Sequence, residues 1–239
     1  PIRFEQGHFC RNGAIDPSKT AAGKQAAALG WLVTSEQQAA GYTAIGVFSR
    51  GSQGTSGTCF IADGNIVIYR DARPVAIVYG DVPVDDEGGS IGGVVATLTA
   101  GRLRISDWTP VGSESADITL APDRIDVVAI AEKETACGDI TVPNIRGKSI
   151  PQARTLLAPF GWRPAVFGDA ASKDNPYDAA RDYRNEGLTE FETCSGTGYG
   201  FCSVRYDHRS GAVLGVTTVG DGTPTVSGVS VTCPKARRS

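Results

Sequence analysis

The stretch VPNIRGKSIPQARTLLAPFGWRP, residues 142–164, is the most completely specified segment of this chain. Ser149 can accept a hydrogen bond from the first turn of a helix, and Gln152, three residues on, can reach back to the Ser149 amide, a capping box. Ile150, Ala153, Leu156, Leu157 and Phe160 then recur on one side of a helix, so that side needs an apolar surface to pack on. Gly161 supplies a left-handed residue to stop the helix, and Trp162 opens a strand. Pro159 lacks an amide hydrogen and disfavours helical geometry at Ala158, so the helix is expected to end a residue or two early or to kink.

Working outward, Asp16 and Pro17 read as a helix N-cap followed by proline at the first helical position, with the Ala-rich run after them ending at Gly30. The period then changes to two. Strands are predicted over 42–48, 59–62, 65–70, 75–79, 94–98, 102–108 and 125–130, with tight hairpins at Asp63-Gly64 and Ala100-Gly101 and a slightly longer connection at 71–74. Residues 131–136 read as a polar passage without a strand signature, and a domain boundary is placed there. Beyond the opening stretch come a strand over 162–167, a short helix over 176–184, and strands over 188–194, 201–206, 213–219 and 226–233. The turns between the later strands fall at 207–211 and 220–222.

The chain has 239 residues, 41% apolar and 21% charged, which suits one large globular core or two ordinary ones. Its formal net charge of -3 gives a phosphate backbone no general attraction, and only Lys235, Arg237 and Arg238 are locally basic, so nucleic acid is excluded as a partner. The apolar runs are strand-sized, whereas crossing a bilayer takes about 20 apolar residues, so no membrane span is expected. Six cysteines, Cys10, Cys59, Cys137, Cys194, Cys202 and Cys233, lack the paired short spacing of a zinc site, and there are only two histidines. Structural disulfides in an oxidising compartment are the expectation, periplasmic or extracellular. Local order favours Cys10 with Cys59, Cys194 with Cys202 and Cys137 with Cys233.

Val142, Pro143, Asn144, Ile145, Gly147, Ala153, Leu157, Gly161 and Trp162 resemble the start of a PASTA domain. The resemblance covers about 25 residues of the chain and does not reach the first 135. It implies a small α+β unit on the outer side of a bacterial membrane, where such domains bind muropeptides or act as spacers. No binding residue carries over, because this unit runs longer than the family's, with an insertion near 173–186 and three cysteines. The expectation is an α+β fold of two domains, 1–134 and 136–239, mainly antiparallel β with one or two short helices each. The second is PASTA-like and disulfide-braced.

Gly88-Gly89-Ser90-Ile91-Gly92 matches the elbow of serine hydrolases, but an acidic loop precedes it and a β-like run follows it, so Ser90 reads as part of a Gly-rich loop. His8 and His208 read as exposed polar residues. Asp81, Asp85, Asp86 and Glu87 could offer oxygens to a hard cation, yet their spacing lacks alternating ligands, and they read as a solvated acidic loop. Gly147-Lys148-Ser149 lacks the upstream glycine of a phosphate-binding loop, Val142 standing in its place. No metal or cofactor is expected. Thr197, Gly198 and Tyr199, enclosed by Cys194 and Cys202, are the candidate ligand-binding residues, because a braced loop with one aromatic presents a fixed shape.

These readings converge on a non-enzymatic secreted or periplasmic envelope protein, a binding or scaffolding module for peptidoglycan fragments or an envelope protein. The alternatives are a cell-wall hydrolase using paired carboxylates, and an inhibitor or adhesin recognising a protein partner.

Overall fold

The computed structural model describes residues 18–53, 59–80, 91–107, 114–168, 178–196 and 198–234. It is mostly antiparallel β-sheet with a few short helices, and its contacts divide into two compact units, Pro1–Ile130 and Ala131–Ser239.

The first unit runs α1 (Ala21–Ala28), β1 (Leu32–Ala39), β2 (Tyr42–Phe48), β3 (Arg50–Gln53), β4 (Cys59–Ala62), β5 (Asn65–Arg70), β6 (Arg73–Tyr79), β7 (Ile91–Ala96), β8 (Arg102–Asp107), β9 (Glu114–Ala121) and β10 (Arg124–Val128). Two four-stranded sheets form, in the orders β1-β2-β5-β6 and β10-β9-β8-β7, beside a β3-β4 ribbon. Tyr42, Ala44, Ile66 and Ile68 from the first sheet share one core with Val94, Leu103, Ile105, Ile118 and Leu120 from the second. The alternate residues Ile45 and Val47 pack with Ala22 and Ala26 of α1. Strand β2 is therefore buried on both faces, which is why it reads as a continuous apolar run rather than an alternating one. Two-residue hairpin turns at Ala40-Gly41 and Asp71-Ala72 put all four residues at positive φ, the geometry that follows the natural twist of paired strands.

In the second unit β11 (Lys133–Ala136) pairs with β12 (Ile140–Pro143), and α2 (Ile150–Leu157) follows. Next come β13 (Trp162–Pro164), α3 (Ala180–Asn185), β14 (Phe191–Cys194), β15 (Cys202–His208), β16 (Val213–Val219) and β17 (Thr225–Thr232). Strand β15 is the centre: β13 and β14 share one of its edges and β16 takes the other. Ser149 stands at the N-cap of α2, and Gln152 Oε1 accepts from its amide at 3.1 Å. The α-helix stops at Leu157, a 3₁₀ turn carries Pro159, and Gly161 is left-handed at φ 87°. Ile150, Ala153 and Leu157 are buried; Leu156 is exposed, because at 100° per residue it lies at the border of the apolar face. Cys137 is bonded to Cys233 and Cys194 to Cys202, two of the pairs that local order favours. Cys10 lies outside the described residues.

Several expectations are corrected. Helix α1 is capped by Thr20, whose hydroxyl accepts from Gly23 N–H, and Glu36 of β1 accepts from the amides of Lys19 and Thr20; Asp16 and Pro17 lie outside the described residues. Asp63-Gly64 is not a hairpin, since β4 pairs with β3 while β5 pairs with β2 and β6. The 131–136 passage holds strand β11, with Glu134 and Ala136 turned inward. Strands β1, β3, β9 and β12 are likewise additional to the predicted set. The strand after Gly161 stops at Pro164, and α3 spans Ala180–Asn185 rather than 176–184.

Two stability outcomes follow. A Cβ at Gly46 would lie 2.7 Å from the Gly92 carbonyl oxygen, so G46A overpacks the approach of β2 to β7 and costs about 1–3 kcal/mol by denaturant unfolding. Cys137–Cys233 closes a loop with sequence separation 96 and Cys194–Cys202 one of 8. Chain-entropy reasoning gives about 4–5 kcal/mol for the first and about 2–3 kcal/mol for the second. C137A/C233A is therefore expected to unfold at lower guanidinium concentration than C194A/C202A.

Candidate functional site

The loop between β14 and β15 is fixed at its base and again at Tyr199. Cys194 and Cys202 lie directly opposite each other in the strand pairing and are bonded. Just inside the bridge, the Phe201 carbonyl accepts from Ser195 N–H at 2.7 Å and from Ser195 Oγ at 3.2 Å. Asp178, buried ahead of α3, accepts from Cys194 N–H at 2.8 Å and from Ala180 N–H at 3.1 Å, so the start of the loop is tied to that helix. At the far end, Gly220 N–H donates to the Tyr199 carbonyl at 3.0 Å. Gly200 is left-handed at φ 61°, and a Cβ there would meet the Gly220 carbonyl oxygen at 2.9 Å and Asp221 Oδ1 at 2.6 Å. Only glycine lets the loop settle on the 220–222 turn.

Tyr199 stands on this frame with 37% of its surface exposed and its ring 6.0 Å from that of Phe201. Gly198 beside it is exposed, and Thr197 lies outside the described residues. Tyr183 of α3 also reaches the 220–222 turn, its ring stacked on Phe191 with centroids 4.4 Å apart. Burial, and next the Asp221 carboxylate, push the Tyr183 phenol above its ordinary range, while the Gly222 backbone opposes the shift. Tyr183 and Asp221 are the members of this surface that sequence reasoning missed. Asp221 shows only as part of a turn, and Tyr183 as one residue of a short helix.

The remaining candidates are engaged elsewhere. Glu190, fully buried, takes the Arg154 guanidinium of α2 on both oxygens and the Tyr206 hydroxyl at 3.1 Å. Burial first, and then the Glu190 charge, raise Tyr206 far above the usual phenol range; the hydrogen bond to Glu190 raises Arg154. In the first unit, Asp117 accepts from Arg104 Nε at 2.7 Å and from Arg102 Nη1 at 3.2 Å, and Arg104 also binds Glu114 at 3.0 Å. These carboxylates hold arginines in place, whereas a glycosidase pair has to face a sugar from two sides.

His208 is half-buried rather than exposed, because its ring packs 4.9 Å from the Trp162 rings and closes a groove of about 480 Å³ lined by Asp139, Thr141, Phe160, Arg209 and Ser210. Its Nε2–H donates to the Phe160 carbonyl at 3.0 Å, which leaves Nδ1 to accept from the Ser210 hydroxyl at 2.7 Å and amide at 3.2 Å. This Ser–His pair spans one turn, and the far ring nitrogen faces a carbonyl where a triad would place a carboxylate. It clamps the turn to the end of α2. Ser90, His8, Asp81, Asp85, Asp86 and Glu87 lie outside the described residues. Among the described residues no group of three or more His, Cys, Asp or Glu could hold a metal ion, and no helix is long and apolar enough to cross a membrane.

Comparison of the chain with protein-family models, curated proteins and solved structures finds no match.

Tyr206 gives the second unit an alkaline signature. Its folded pKa lies above the unfolded value of about 10, so its neutral form contributes fully below that pH, and the contribution is lost as pH rises towards the folded value. The unfolding midpoint is expected to fall steeply above about pH 10. Y206F, which costs about 1.5–3 kcal/mol at neutral pH through the lost hydrogen bond to a buried carboxylate, should flatten that alkaline limb; an unchanged slope would contradict the assignment.

Proposed function

We propose that this chain is a non-enzymatic binding module working outside the reducing cytosol, at the bacterial envelope, and that it recognises its partner through the Cys194–Cys202 loop. The observation that carries the reading is the geometry of that loop. Tyr199 is exposed while the backbone on which it stands is held by a disulfide, by Ser195 and by the Gly220 amide. An aromatic fixed in advance binds with little ordering cost, which is where interface hot spots gain most.

Three further points support it. Disulfides persist in oxidising compartments, and the chain has two among its described residues. The resemblance of 142–162 to a PASTA start favours the outer side of a bacterial membrane. The buried carboxylates of both units are occupied by arginines and amides, which weighs against the hydrolase alternative.

The test is retention by peptidoglycan sacculi and cross-linking in envelope extract, wild type against Y199A. Loss of an aromatic anchor costs about 2 kcal/mol or more, so retention of Y199A should fall roughly thirtyfold. Retention equal to wild type in both assays removes the loop as the contact surface.

A further inference from the structure

Two loops and one helix converge at the exposed end of β14 and β15. The Gly220 amide binds the Tyr199 carbonyl, Asp221 Oδ1 lies against Gly200, and Tyr183 of α3 reaches the same turn. Two aromatic pairs adjoin that turn: Tyr199 with Phe201, and Tyr183 on Phe191.

The charges that act on the Tyr183 phenol have one sign. Asp221 and, more weakly, Glu186 and Asp182 act on the Tyr183 phenol, and each opposes its ionisation. All three are exposed, and none is in an ion pair among the described residues. Of the two arginines of α3, Arg184 turns inward to the Phe191 and Glu192 carbonyls at 2.8 and 3.2 Å, and Arg181, its Nε buried, is in no ion pair with these carboxylates among the described residues. Uncompensated negative charge beside the faces of tyrosines is the environment that attracts a cation, by Coulomb attraction and by the ring quadrupole together.

Resting on the reading of this loop as the contact surface, we propose that Tyr199, Tyr183, Asp221, Asp182 and Glu186 form a docking surface for a cationic polypeptide segment, one presenting Lys or Arg side chains. The partner's side chain lies across the Tyr199 ring with its charge towards Asp221. Arginine is the better fit, since its planar head can stack on a ring and bind a carboxylate at once.

The experiment is an anisotropy titration of the intact, oxidised protein with a labelled hexa-arginine peptide, with hexa-glutamate as counterpart. Hexa-arginine should bind and hexa-glutamate should not. Affinity should fall as salt rises from 0.1 M to 1 M, where the screening length drops from about 10 Å to about 3 Å. D182N/E186Q/D221N should weaken binding tenfold or more. D71N/D123N/E132Q, which removes the same number of charges from exposed positions elsewhere, should leave it within twofold. Equal losses in the two triple variants would reduce the effect to net charge and overturn the proposal, as would a D182N/E186Q/D221N protein that binds like wild type. If Y199A loses envelope retention while D182N/E186Q/D221N keeps it, the loop remains the contact surface and its partner is not a cationic segment. If neither variant changes retention or peptide binding, both readings fall.

Discussion

A carboxylate removed from water has to be neutralised where it sits, and Glu190 is such a group at the centre of the second unit. Its partners come from different elements, the guanidinium of Arg154 from α2 and the hydroxyl of Tyr206 from β15, while its own carbonyl accepts the Arg205 amide at 3.0 Å. Arg154 also donates to the Gly187 carbonyl at 2.9 Å, fastening the segment that leads from α3 into β14. Helix, central strand and the approach to the loop meet at one charge. A buried ion pair adds little net stability compared with apolar packing, but losing one partner leaves an unpaired charge, so alternative placements of α2 are penalised heavily. In this unit the pair acts chiefly as a positioning device.

The same physics decides what could be read from the sequence. Segments whose inward residues are apolar were legible: β2, β5 and β16 have the expected bounds, and the α2 start is written in Ser149 and Gln152. Segments that bury charge were not. Strand β9 turns Asp117 into the interior to meet Arg104, and β11 turns Glu134 inward, so the alternation that marks a strand is broken at the residue that anchors it. Strand β1 carries Glu36, whose carboxylate serves α1, and Ser35, whose hydroxyl accepts from the Val94 amide at 2.8 Å. Its side chains are polar because they make long-range bonds, and no local window contains the partners.

The candidate surface was half legible for a related reason. Cysteines eight positions apart around a Gly-rich run point to a braced loop without further information, and Tyr199 and Phe201 are the aromatics it encloses. Asp221 follows that loop, and Tyr183 precedes it, with a whole strand between each and the loop, and they join it only because β16 runs back antiparallel to β15 and α3 packs beside β14. His208 was misjudged in the opposite direction. A histidine among turn residues looks solvated, but this one is drawn onto Trp162 by the carbonyl left exposed at Phe160 where the helix ends.

Glycine content usually suggests mobility, and residues 195–200 invite that reading. Here the glycine whose role is visible has the opposite one. Gly200 sits where any side chain would strike the 220–222 turn, so the residue is small in order to permit contact. Contact brings the Gly220 amide to the Tyr199 carbonyl, and that bond fixes the backbone beneath the ring. The disulfide acts at the base of the loop and this bond acts near its tip, so neither alone would hold Tyr199. A tyrosine on a free loop loses backbone freedom on binding at roughly 1–2 kcal/mol per residue ordered, a cost that cancels much of what one aromatic contributes. With the backbone held at the disulfide and at its own carbonyl, Tyr199 avoids most of that loss.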